Sequence, residues 1–161
     1  MDKPTPKTAE EFARKAFLKD KTPEDRNWHI FHSKAVGDCS IILAGSKKVD
    51  KGLLKIAGWL HDIGQTISMD DHAAHSLKMA EKEFEIDDKL KDCILNHGNH
   101  GEPVCEEAKL INIADKVSML NPEFIKLFLK DTANKPADKK KKDMDFIKSM
   151  LSKAGELLEK I

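Results

Sequence analysis

The stretch Leu53-Leu54-Lys55-Ile56-Ala57-Gly58-Trp59-Leu60-His61-Asp62-Ile63-Gly64, residues 53–64, decides the fold. Leu53, Leu54, Ile56, Ala57 and Leu60 recur at helical spacing with little polar surface between them, which predicts a helix buried on most sides. That helix runs into His61 and Asp62, and Gly64 is placed to terminate it. Neighbouring residues on an α-helix point about 100° apart, so His61 and Asp62 converge on one point only where the backbone leaves regular geometry. A helix end provides that freedom.

Outward from this segment, apolar residues keep a three- and four-residue period, and alternating runs of β-branched and aromatic residues are missing. The fold class is therefore all-α, a compact bundle of about seven to eight helices. They are expected near 7–19, 23–45, 50–62, 71–85, 88–97, 105–119, 122–131 and 142–160. Thr22-Pro23-Glu24-Asp25 and Asn121-Pro122-Glu123 each offer a capping side chain, a first-turn proline and early acids. Lys135-Pro136-Ala137-Asp138 and the following Lys139 to Lys142 read as a solvated connection. Met144, Ile147, Leu151, Ala154, Leu158 and Ile161 form one stripe on the last helix. Packing onto the chain's own helices accounts for it, and a coiled-coil seam in a homodimer is the alternative.

A chain of 161 residues that is 40% hydrophobic fits a single domain over 1–161. Its 28 basic and 28 acidic side chains cancel, so no global positive field favours nucleic acid or an anionic membrane. No apolar stretch approaches the roughly 20 residues of a membrane span, and Met1 to Glu10 is too polar for a secretory signal. A cytoplasmic protein without a membrane partner is expected. Cys39, Cys93 and Cys105 are odd in number and far apart, which predicts reduced, mostly buried thiols and no disulfide framework.

Histidines on apolar stripes carry the functional signal. His32, Val36, Cys39 and Leu43 share one helix face, as do Leu90, Cys93, Ile94 and His97, so His32 and His97 look inward. Asp115 sits in Leu110-Ile111-Asn112-Ile113-Ala114-Asp115, whose apolar content demands burial, and a buried carboxylate needs a cation. Each of these residues alone is ordinary, since inward histidines are mostly hydrogen-bonded core residues and inward aspartates mostly ion pairs. Imidazoles and carboxylates converging from several helices are the usual ligands of divalent transition metals.

His61-Asp62 followed by Ile63-Gly64 resembles the signature of the HD-domain phosphohydrolase superfamily in its HDIG form. The order H…HD…H…H…D is met by His32, His61-Asp62, His72, His97 and Asp115, and Ala114-Asp115-Lys116 resembles the closing AD segment; the likeness spans about residues 28–120. The resemblance implies that His32, His61, Asp62 and Asp115 bind one divalent ion, while His72 and His97 bind a second that Asp62 bridges. Iron or manganese suits such ligands, and members with only the four-residue set use one ion. His75 and His100 lie three residues after His72 and His97. They are candidates to exchange roles with those ligands or to contact substrate. His29, beside Trp28 and Phe31, reads as local packing.

A site of this kind implies a metal-dependent phosphohydrolase, with a metal-activated water attacking a phosphate ester or anhydride. Asp62 is its central residue, and Lys116 is a candidate cation for transition-state charge, a surface salt bridge being the alternative. Ile94 to Pro103 lacks the HHE and GYP elements of cyclic-dinucleotide phosphodiesterases. Ile63-Gly64-Gln65-Thr66 lacks the paired acids of alarmone hydrolases. A small dinuclear hydrolase of nucleotides or dinucleotides resembles the chain better, although that branch often has lysine where Gln65 stands. The alternatives are a nuclease of the same fold, an oxygenase with the same ligands, and a non-catalytic metal-binding sensor or adaptor module.

Overall fold

The computed structural model describes residues 1–159. Among these the chain is all helical: α1 (Pro6–Ala16), α2 (Pro23–Ala44), α3 (Lys51–Leu60), α4 (His72–Ala80), α5 (Asp88–Leu95), α6 (Glu106–Val117), α7 (Pro122–Ala133) and α8 (Ala137–Leu158). Helix starts follow their caps. The Thr22 hydroxyl accepts from Asp25 N at 3.1 Å and the Asn121 side chain from Glu123 N at 2.9 Å, each ahead of a first-turn proline. No helix among the described residues is long and apolar enough to cross a membrane.

The main core lies between α2, α3, α5 and α6, with α1 and α4 closing its sides. Two glycines set its geometry. A Cβ on Gly58 would lie 2.6 Å from Gly37 N and 2.9 Å from Ser33 O, so α3 crosses α2 backbone to backbone. A Cβ on Gly64 would meet Ser76 N at 2.5 Å and run into the carbonyl oxygen of His72. Gly64 thus lets α4 press onto the turn after α3, and its N–H donates to Ser76 Oγ at 2.8 Å.

This revises the expected role of Gly64. The helix ends at Leu60, and Gly64 lies within a short 3-10 turn, Ile63–Thr66, without the positive φ of a helix-terminating glycine. α4 is shorter than expected because the chain turns after Ala80 to bury Phe84 edge-on against Phe12, with ring centroids 5.4 Å apart. Asp71 occupies the N-cap of α4 at φ 54° but caps nothing with its side chain.

The lysine-rich segment belongs to α8 rather than to a connection. Pro136 holds the N-cap position, Asp138 lies in the first turn, and Lys139 to Lys142 are good helix formers on a solvated face. On the same helix Met150 and Ala154 are buried and Ile147 is half-buried, whereas Met144, Leu151 and Leu158 are exposed. Ile161 lies outside the described residues. Met150 joins Met119 and Phe124 in a satellite core, where Phe124 packs on Trp28 at 4.0 Å. Cys93 is buried, while Cys39 and Cys105 are only partly so, the Cys105 sulfur serving as the cap of α6.

Gly58→Ala is expected to force α2 and α3 apart and cost about 1–3 kcal/mol or more, as overpacking does. Gly155→Ala on α8, whose Cβ would meet nothing within 4 Å, is expected to stabilise the protein by about 0.5–1 kcal/mol. Urea denaturation of the two variants checks both signs.

Candidate metal centre

Six side chains from five helices and their ends meet inside the bundle. His32 lies on α2, His61 and Asp62 follow α3, His72 opens α4, His97 follows the C-cap of α5, and Asp115 lies near the end of α6. Asp62 has left helical geometry, with φ −112° and ψ 4°, which turns its carboxylate onto the same point as the His61 ring.

The six form two groups that share Asp62. In the first, His61 Nε2 is 3.3 Å and His32 Nε2 is 3.6 Å from Asp62 Oδ2, while Asp115 Oδ1 is 3.0 Å from His32 Nε2 and 3.7 Å from His61 Nε2. In the second, His72 Nε2 and His97 Nε2 are each 3.3 Å from Asp62 Oδ1 and 3.0 Å from one another. His75 is partly exposed on α4 and His100 is exposed after α5, and neither joins a group. His29 packs locally, stacked on Phe17 at 5.0 Å, with its ring nitrogens 3.0 Å from Asp20 Oδ2 and 3.1 Å from Gln65 Oε1.

Ring orientation is fixed from the backbone. His61 Nδ1 donates to the Gly58 carbonyl at 2.9 Å, His72 Nδ1 to Met69 O at 3.0 Å and His97 Nδ1 to Ile94 O at 2.7 Å, each three residues back. A neutral imidazole whose Nδ1 carries the proton presents a lone pair at Nε2. The lone pairs of His72 and His97 therefore face each other, an arrangement that calls for a cation between them. Buried Asp62 Oδ1 has no hydrogen-bond partner among the described residues. Donors about 2.0–2.2 Å from an ion stand roughly 3–3.6 Å apart. The observed separations of 3.0–3.7 Å fit that requirement, so both groups can hold a divalent ion.

The electrostatics agree. Burial opposes charge on Asp62, yet His61 and His97 hold its carboxyl well below the usual range. Burial likewise opposes charge on Asp115, and the Lys116 ammonium, with His32 and His61, outweighs it. Burial alone would lower His61, but the Asp62 and Asp115 carboxylates push it up to about 10.

Three residues support this cluster from behind: Lys116, which the sequence offers as a candidate cation, and Asn112 and Asp92, which it does not signal. Lys116 is no surface lysine: only 1% exposed, its ammonium donates to Asp115 Oδ2 at 2.8 Å and to the His97 carbonyl. Asn112, the lone polar residue between Ile111 and Ile113, donates its amide to the carbonyls of Asn96 (2.9 Å), His97 (3.1 Å) and Gly98 (2.9 Å). Asp92 accepts from Val104 N at 3.0 Å, Cys105 N at 2.8 Å and Asn96 Nδ2 at 2.7 Å, which pins the loop after His97 to α5.

A family model described as HD domain matches residues 30–120. Curated relatives include ribonuclease Y of Treponema pallidum (strain Nichols), 33% identical over 96 residues, which are 58% of this chain and 19% of that protein. Ribonuclease Y of a Nitratiruptor species is 32% identical over 105 residues, 62% of this chain and 20% of the relative. That of Campylobacter hominis is 30% identical over 107 residues, with 63% and 21% covered. The chain thus spans about a fifth of the length of these relatives. No solved structure matches it.

In the metal-free protein, protonated His61 stabilises the fold fully below 6.5, and that contribution is lost as pH rises through about 10. A metal ion must displace the same proton. The melting temperature of chelator-treated protein is expected to fall between pH 7 and 10 relative to manganese-loaded protein. Titration calorimetry in buffers of different ionisation heat is expected to register proton release on metal uptake at pH 7.

Proposed function

The chain belongs to the HD-domain family, and on that premise we propose that it is a metal-dependent phosphohydrolase cleaving a phosphate ester or anhydride of a nucleotide or dinucleotide. The observation that carries this reading is the sharing of Asp62 between two groups of inward-facing Nε2 atoms. In this reading His32, His61, Asp62 and Asp115 hold one divalent ion, and Asp62, His72 and His97 a second, with iron or manganese suited to the nitrogen and oxygen donors. The reading takes residues 1–161 as one cytoplasmic unit built on a core at 28–120, with a small phosphorylated substrate as its partner.

Divalent ions held by these residues would supply Lewis acidity toward phosphoryl oxygens and would lower the pKa of a bound water. The chain's own residues do the remainder. Backbone carbonyls of Gly58, Met69 and Ile94 keep the Nδ1 protons of His61, His72 and His97 away from the reacting centre. His72, with 27% of its side chain exposed, is the most open of the six and marks the side from which substrate enters. His75 lies on the same helix and His100 beyond His97, and both are assigned to contacts with substrate phosphate. Burial of His61, Asp62 and His97 keeps bulk water from the inner face of the cluster.

A second reading, cleavage of RNA phosphodiesters, is favoured by the relatives, which are named ribonucleases. The balance of 28 basic against 28 acidic side chains argues the other way, because phosphate-backbone binding draws on excess positive charge.

Metal analysis of wild type and Asp62→Ala, with hydrolysis of a nucleotide and dinucleotide panel beside a short RNA, tests the proposal. Wild type is expected to hold about two ions per chain, in line with one ion for each donor group. The variant is expected to lose metal and at least about a thousandfold in rate, equivalent to about 4 kcal/mol. Faster cleavage of RNA than of any nucleotide would move the assignment to the second reading. A metal-free wild type whose behaviour Asp62→Ala leaves unchanged would end both.

A further inference from the structure

Lys116 is turned inward, away from solvent. Its side chain is 1% exposed, and its ammonium is engaged by Asp115 Oδ2 and by the backbone carbonyl of His97. The first contact covers one of the two carboxylate oxygens of Asp115. Only Oδ1 is left to face His32 and His61, at 3.0 and 3.7 Å. Asp62, by contrast, turns one oxygen to each group.

The second contact reaches the other group. His97 is a member of the His72 pair, and its ring direction is set by the Nδ1 bond to Ile94 O at the end of α5. That helix end is gripped from α6 twice. Asn112 holds the carbonyls of Asn96, His97 and Gly98, and Lys116, one turn later, holds that of His97 again. α6 therefore carries a donor of the first group, Asp115, and the backbone anchor of the second.

Resting on the metal-centre reading above, we propose that Lys116 is a positioning residue that keeps Asp115 a one-oxygen ligand and ties the two metal groups together through the His97 backbone. The alternatives differ in sign. A lysine acting only as a buried positive charge would, when removed, let both ions bind more tightly. A lysine meeting the substrate would change KM or kcat and leave metal binding alone. A strut, when removed, weakens the ion held by Asp62, His72 and His97, although that group has no ligand on α6.

The test is titration of metal-stripped protein with manganese against a competing chelator and with cobalt(II) by visible absorption. Wild type, Lys116→Met, Lys116→Gln and Asn112→Ala are compared, with His72→Ala as the reference lacking the second group. In both Lys116 variants the second ion is expected to bind at least about tenfold more weakly, the effect of losing a supporting contact behind a ligand. The cobalt spectrum of the first is expected to shift toward higher coordination as Asp115 Oδ2 is freed. Asn112→Ala is expected to weaken the second ion and leave the spectrum of the first unchanged. Glutamine retains a donor for one carbonyl, so Lys116→Gln keeps the comparison available if methionine prevents folding. Unchanged or tighter binding of both ions in the Lys116 variants overturns the proposal while leaving the metal reading intact. A wild type that takes up neither metal overturns both.

Discussion

The Asp62 carboxylate is buried among four imidazoles from four separate segments, and where α2, α3, α4 and α5 end or cross follows from keeping it there. Leaving such a charge without partners would cost more than the few kcal/mol by which a small domain is stable. Each oxygen must therefore be met, and no single helix can meet both. A ring on α2 and one after α3 face Oδ2, while rings opening α4 and closing α5 face Oδ1.

Close backbone contacts leave room for that convergence. Gly58 lies on Gly37 so that α2 brings His32 within 3.4 Å of His61, and Gly64 lies under α4 so that His72 reaches His97. The carbonyls left free near the ends of α3 and α5 are not given over to solvent. Those of Gly58 and Ile94 orient the rings of His61 and His97, and those of Asn96 to Gly98 take the amide of Asn112. The site is thus built largely from helix ends, whose unpaired backbone groups are what regular helices lack.

Much of this was legible in the sequence because it follows from periodicity. The stripes through His32 and His97, the caps at Thr22 and Asn121, and the irregular geometry needed at His61-Asp62 all appear in the fold. What escaped does not repeat with a period. Gly64 reads as a helix terminator because glycine serves both as terminator and as a close-packing residue, and only the position of α4 separates the two. Lys116 is legible as a candidate cation beside Asp115, with a surface salt bridge as the alternative, but its burial is not, because its partners come from a different segment and from its own neighbour. Asn112 is a single polar residue in an apolar run, and its targets lie 14 to 16 residues earlier. The run Lys139 to Lys142 reads as a connection because it is low in complexity and follows Pro136, yet on a solvated helix face its charges cost little.

Charge bears on what such a site accepts. Asp62 and Asp115 bring two negative charges and Lys116 returns one positive, so the buried cluster carries a net charge of minus one with its imidazoles neutral. One divalent ion would raise this to plus one and two would raise it to plus three, and the two groups contain no further carboxylate to offset it. A centre with that surplus favours an anionic ligand, and a terminal phosphate with two negative charges offsets it better than a diester with one. Lys116 strengthens the preference: had its place been taken by a neutral side chain, the surplus would be smaller by one charge. On the proposed reading, Lys116 would thus also add to the charge that a substrate phosphate at the open side by His72 would offset.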